Sequence, residues 1–237
     1  MDYVTAVAAW FSDPASWSGP DGIPQRLLEH VLVSGVSMLI AIAIVVPAGL
    51  WIGHTRRGAT IASGLANLGR AVPTLAAIAI VLPVTAAFDP QLGFKVYPTV
   101  LAMILLAAPP ILVNTYTGIA EVDGELVEAA RGMGLTGRQI LSSVELPLAL
   151  PVVVGGIRSA TVQVIATATL GSIFGFGGLG RFLIDGIANH DTGQIFGGVI
   201  LVGALALTAE ALLALLQRRL TPAAPAQVHE AAPAPAG

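Results

Sequence analysis

Long apolar runs alternate with short polar connections along this chain, and the runs have the length of bilayer-crossing helices. A spanning helix needs roughly 20 predominantly apolar residues. Five stretches reach that length: 30–53, 66–88, 95–117, 148–174 and 194–216. Arg158 interrupts the fourth and Glu210 the fifth. Prolines fall inside or beside the runs at Pro47, Pro73, Pro83, Pro109, Pro110 and Pro151. Each removes a backbone donor and tends to kink a helix, which a packed bundle tolerates when neighbours satisfy the freed carbonyls. They read either as ordinary packing features or as hinges around a pathway. The pattern predicts an all-α polytopic membrane protein with five spans. Segment 1–29 precedes the bundle, 30–217 forms it, and 218–237 is an Ala/Pro-rich tail expected to be disordered.

The polar connections orient the bundle. Arg56 and Arg57, Arg131 and Arg138, and Arg218 and Arg219 fall on one side of a five-span path. The other side carries Arg26, Lys95 and Arg181 among Asp2, Asp13, Asp21, Asp89, Asp185 and Asp191. A basic excess marks the cytoplasm, so the N-terminus is expected outside and the C-terminus inside. The acidic start lacks the basic-then-apolar order of a cleaved signal.

One connection is too polar to cross a membrane. Residues 121–147 read EVDGELVEAARGMGLTGRQILSSVELP. Asp123 is placed to cap a first short helix. Leu126, Val127, Ala130 and Met133 recur at helical spacing and predict one apolar stripe. Gly134 suits the left-handed position that ends a helix. Thr136 and Gln139 form a capping box for a second short helix, and Pro147 stands where the next span begins. The expectation is a helix–Gly–helix hairpin on the cytoplasmic side.

Composition agrees with the pattern. The chain of 237 residues is 55% hydrophobic and 11% charged, against about 25% charged in soluble domains. A net charge of −3 offers no footprint for nucleic acid. With no cysteine, disulfides and thiolate metal sites are excluded. His30, His54, His190 and His229 form no ligand pair at helical spacing and read as surface or interfacial residues, so no metal is expected. The segment GFGGLG matches G-x-G-x-x-G through Gly175, Gly177 and Gly180, but it follows an apolar helix and not a strand, so no dinucleotide site is implied. No phosphate loop is present.

The loop resembles the signature of ABC importer permeases: E-A-A, three residues, Gly, nine residues, Ile-x-Leu-Pro. Here stand Glu128-Ala129-Ala130, then Gly134, then Val144-Glu145-Leu146-Pro147, with Val for Ile the sole departure. The segments WSGPDGIPQRLLEH (17–30), PPILVNTYTG (109–118), GIRSATVQVIATATLG (ending at Gly171) and GFGGLG (175–180) are similar to the osmoprotectant branch, which imports glycine betaine, choline or carnitine. The resemblance implies a type I importer permease fold in the bacterial cytoplasmic membrane. Glu128, Ala129, Ala130 and Gly134 would seat a coupling helix in a cytoplasmic ATPase, and Leu146 and Pro147 would join it to the fourth span. ATP and Mg would belong to that partner, with no cofactor in this chain. A second permease chain and an extracytoplasmic solute-binding protein are implied. Gly175, Gly177, Gly178 and Gly180 are a candidate outer gate, or a plain flexible turn. Arg158, expected roughly 10 Å from the cytoplasmic end, is a candidate pathway or ion-pair residue. Glu210 and Arg70 read as snorkelling or paired charges. Three rivals stand beside this reading: a methionine-type permease, an ion-coupled secondary transporter, and a membrane scaffold or assembly factor with no transport role.

Overall fold

The computed structural model describes residues 3–221, and for Leu65, Leu68 and Arg70 the backbone alone. Its helices in chain order are α1 (Tyr3–Ser12), α2 (Ile23–Thr55), α3 (Ala59–Ala71), α4 (Thr74–Phe88), α5 (Leu92–Lys95), α6 (Tyr97–Ala120), α7 (Gly124–Gly132), α8 (Gly137–Ile140), α9 (Leu146–Ala168), α10 (Gly180–Ala188) and α11 (Thr192–Leu220). No strand occurs among the described residues.

Among the described residues, four continuous helical stretches are long and apolar enough to cross a membrane: Ile23–Thr55, Leu92–Ala120, Gly137–Phe174 and Thr192–Leu220. The second expected span, 66–88, is not one helix. Val72 (φ −77°, ψ 118°) and Pro73 (φ −60°, ψ 127°) are extended and separate α3 from α4. The proline ring drives the residue before it out of the helical region. At 15 residues, α4 is about 22 Å long, short of the roughly 30 Å hydrocarbon core. The other internal prolines, Pro47, Pro83, Pro109, Pro110 and Pro151, stay within their helices.

Two boundaries also move. α2 starts at Ile23, with Pro24 in its first turn, where a missing N–H costs little. The apolar run near His30 is therefore its second stage. α11 continues to Leu220, so residues 218–220 are helical and not tail. Arg218 and Arg219 sit in its last turn, where cations oppose the helix dipole. The rest of the expected tail, 222–237, lies outside the described residues.

α6 is the centre of the bundle, packed between α2 and α9 and flanked by α3 and α4. Ile78, Met103, Ile111 and Val164 are fully buried among Ala41, Ala102, Ala107, Ala160 and Ala168. Lipid is as apolar as these side chains, so close packing holds such helices together more than expulsion of water. The small residues permit it: a Cβ on Gly156 of α9 would stand 2.6 Å from the Cβ of Asn114 on α6. α11 packs on α9 and α10, and α1 lies across the start of α11. The Trp10 ring covers Gly197 and meets Phe182 edge-on at 5.2 Å. The segment before the first span thus contains an ordered apolar helix that its polar flanks obscure.

Candidate functional site

The loop 121–147 begins as its residues dictate. Asp123 Oδ1 accepts from the Glu125 N–H at 2.8 Å and starts α7. The helix closes with Leu135 N–H donating to Ala130 C=O at 3.2 Å and Gly134 N–H to Arg131 C=O at 3.0 Å. Gly134 at φ +86° supplies the left-handed turn this closure needs. Both halves of the Thr136–Gln139 capping box are formed.

Both helices and the turn at Gly134 form, but the second helix is not a separate short one. α8 runs through a π-turn (Leu141–Glu145) directly into α9, giving one continuous helix over Gly137–Phe174. Pro147 cannot donate to the preceding turn, and the π-turn, with Leu146 N–H bonded to Leu141 C=O, takes up the misfit.

Nor do the four apolar residues of α7 share one face. Val127 packs with Ile119, Val122, Ala149 and Val153, and Ala130 is buried beside it. Leu126 is 50% exposed and Met133 75% exposed. Glu128, Ala129 and Gly134 are exposed too, Leu146 is half-buried and Pro147 exposed. The outer surface of α7 thus offers apolar and small residues framed by Glu128 and Arg131.

This loop is pinned to the end of α2 by a contact the sequence does not advertise. His54 Nδ1 lies 2.5 Å from Glu145 Oε2, and the Glu145 side chain is only 3% exposed. Arg56, left-handed at φ 57°, reaches Val122 C=O at 3.5 Å.

A second anchored loop stands at the far end of α2. His30 and His54 are separated by about 36 Å along that helix. Glu29 Oε2 accepts from Gly178 N–H at 2.8 Å and from Arg26 Nη1 at 2.9 Å. His30 is fully buried, which corrects its reading as a surface residue. Its Nδ1 accepts from Leu179 N–H at 3.2 Å, so its other ring nitrogen, 2.9 Å from Ile165 C=O, is the donor. Gly175 (φ +85°) and Gly178 (φ +69°) make the turn. Gly177 and Gly180 leave no room for a side chain against Glu29 and Thr169 respectively. The loop is thus locked on α2 and is not a loose connection. Beside it Asp21, Arg26, Lys95, Arg181 and Asp185 line a polar cavity of about 520 Å³.

Arg158 lies between these ends. Its Nε is 2.9 Å from Glu210 Oε1, and its Nη1 donates to Gln217 Oε1 at 2.6 Å. Gln217 Nε2 donates in turn to Pro151 C=O at 2.7 Å, tying α11 to α9. Because the helix starts well before Pro147, Arg158 is about 20 Å along it from Glu145 and about 10 Å from Ile165. Its partner Gln217 stands next to Arg218 and Arg219 in the last turns of α11, so the guanidinium reaches toward the same end of the bundle as the loop. Glu29, His30, His54, Glu145 and Gln217 escape sequence reading because each finds its partner through tertiary contact.

Among the described residues no cluster of His, Asp and Glu is suited to a metal. Residues 45–224 match the family described as "binding-protein-dependent transport system inner membrane component". The chain is 35% identical over 205 residues to the choline transport system permease protein OpuBB of Bacillus subtilis (strain 168), covering 86% of this chain and 91% of that protein. It is 36% identical over 194 residues to the glycine betaine/carnitine/choline transport system permease protein OpuCB of the same organism, covering 82% and 86%. It is 37% identical over 202 residues to the carnitine transport permease protein OpuCB of Listeria monocytogenes, covering 85% and 89%. The fold resembles an inward-facing MetNI methionine ABC transporter, with a TM-score of 0.75 at 22% identity over 84% of this chain and 96% of that one.

Proposed function

Because this chain belongs to the family of binding-protein-dependent transport system inner membrane components, we propose that it is the permease subunit of an ATP-driven importer for quaternary ammonium osmoprotectants such as glycine betaine, choline or carnitine. The relatives named for those solutes, each matched over more than four-fifths of this chain, support the solute class. The observation that carries the mechanism is α7: an exposed Leu126–Ala129–Met133 surface, closed by Gly134, at the head of a helix that continues unbroken into the membrane.

In this reading α7 sits in a groove of a cytoplasmic ATPase, a helix-in-groove contact. Glu128, Ala129 and Gly134 belong to that contact; Ala130, expected there too, is 3% exposed and instead supports α7 from its inner side, and Leu146 and Pro147 lie on the lever behind it. ATP and Mg are bound by the partner. Closure of two ATPases draws two α7 helices together, and the rigid α8–α9 rods tilt the bundles between inward- and outward-open states. The basic residues at the loop end, Arg56, Arg57, Arg131 and Arg138, support a cytoplasmic position for it. The glycine-loop end then faces outward, toward a solute-binding protein, with its Gly175–Gly180 turn as the outer gate. A five-span path with the N-terminus outside requires α3 and α4 together to make one broken crossing.

The test is reconstitution with the ATPase, the binding protein and any second permease encoded beside it. ATP-driven uptake of radiolabelled glycine betaine, choline or carnitine is expected. Uptake of methionine alone would shift the reading to the methionine type, and uptake driven by an ion gradient without ATP would end it.

A further inference from the structure

The Arg158–Glu210 pair is an awkward structure for a membrane bundle. Both side chains are 35% exposed, and both lie in helices long and apolar enough to cross a membrane, where ionised groups facing lipid are expensive. Paired charges in such a place face water or protein and commonly mark a substrate path. Further polar residues follow along α9: Ser159 and Gln163 are exposed, and Thr167, one turn further, is half-buried. Ser159 and Thr167 return their hydroxyls to their own helix. The Gln163 amide has no partner among the described residues, and an unmet amide in hydrocarbon is costly. This stripe needs an aqueous surface.

At its deep end the pair borders an open pocket of about 320 Å³, lined by Arg158, Ser159, Val162, Ala206, Leu207 and Glu210. That size falls at the lower end of small-molecule sites, about 300–1,000 Å³. Arg158 commits Nε to Glu210 and Nη1 to Gln217. A cationic and an anionic side chain therefore share the pocket with apolar Val162, Ala206 and Leu207.

We propose that the Arg158–Glu210 pair is a transit site for a small zwitterion, with Arg158 receiving its carboxylate and Glu210 its quaternary ammonium group as it crosses the bundle. The assignment rests on the osmoprotectant reading above. Arg presents paired donors matched to a carboxylate, and the ammonium methyls meet the apolar wall beside Glu210. No aromatic residue lines the pocket, so the cation gains no cage of the kind that binds such groups tightly. A conducting site must release what it holds, and a zwitterion that exchanges with an existing ion pair leaves no charge unpaired on arrival or departure.

The experiment is uptake by the full importer in proteoliposomes, comparing glycine betaine, which has both charges, with choline, which has only the cation. Arg158→Gln is expected to lower glycine betaine kcat/KM about tenfold or more, the weight of a charged hydrogen bond. Choline uptake should change less than about threefold, because Glu210 remains. Arg158→Lys should recover most glycine betaine transport, and Glu210→Gln should depress both solutes. Co-purification of the ATPase with each variant checks assembly, and if Arg158→Gln fails to assemble, Arg158→Met, which keeps the apolar stem without the charge, carries the same comparison. Equal losses for the two solutes in the Arg158→Gln variant, or no loss in either variant, would reduce the pair to a structural strut while leaving the importer reading intact. A wild-type importer that carries no quaternary ammonium solute would overturn the osmoprotectant reading and the transit site with it.

Discussion

The contact between His54 and Glu145 should be a coupled pair whose loss loosens the coupling loop. Glu145 is buried in the π-turn that joins α8 to α9, and His54 is its one hydrogen-bond partner among the described residues. Removing one member of a fully buried pair costs about 3–5 kcal/mol, because the other charge stays desolvated. The His54 side chain is 25% exposed, so water reaches its side of the contact and the lower figure applies, about 2–3 kcal/mol for His54→Ala. Glu145→Gln keeps an acceptor for the imidazole N–H and loses charge assistance, at about 1 kcal/mol. The double variant should cost little more than His54→Ala alone, a coupling energy of about 1 kcal/mol or more. Denaturant titration of the purified permease in mixed micelles, followed by helical circular dichroism, reads these differences. The same variants should raise ATP hydrolysis per solute imported, because a loose loop transmits less of the ATPase stroke. Strict additivity within about 0.5 kcal/mol, with unchanged coupling of hydrolysis to uptake, would refute the reasoning.

Other expectations follow from single positions. Gly134→Trp, at φ +86° on the exposed end of α7, should leave membrane insertion intact but abolish ATPase co-purification and uptake. Thr136→Ala removes the capping box and should cost about 1 kcal/mol, read in the same titration. Gly180→Ala would put a methyl 2.6 Å from the Ser172 hydroxyl and the Thr169 Cα. It should free the Gly175–Gly180 turn to proteolysis in right-side-out vesicles, and a cleavage rate equal to the wild type would show that turn to be loose already.

Some of this molecule is legible in one dimension. Periodicity and capping are local, so the sequence alone specified the α7 helix, its left-handed stop at Gly134 and the Thr136–Gln139 box, all governed by neighbours three or four residues away. Apolar run length likewise marked four spans, because it answers directly to bilayer thickness. The same local logic overreached at Pro147, where a proline permitted in a first turn suggested a new helix, while the π-turn before it let the old one continue.

What only the tertiary structure decided involves partners far apart in the chain. Hydropathy sums over residues 66–88 and is blind to the extended Val72–Pro73 step. His30, His54 and Glu145 look like isolated polar residues until α2 is laid beside the π-turn and the glycine loop. Arg158 looks like one stray charge until α11 brings Glu210 and Gln217 to it. A charge inside an apolar run carries no sign of whether it meets lipid, water or its opposite. That depends on which helix faces are turned together, and packing alone sets it.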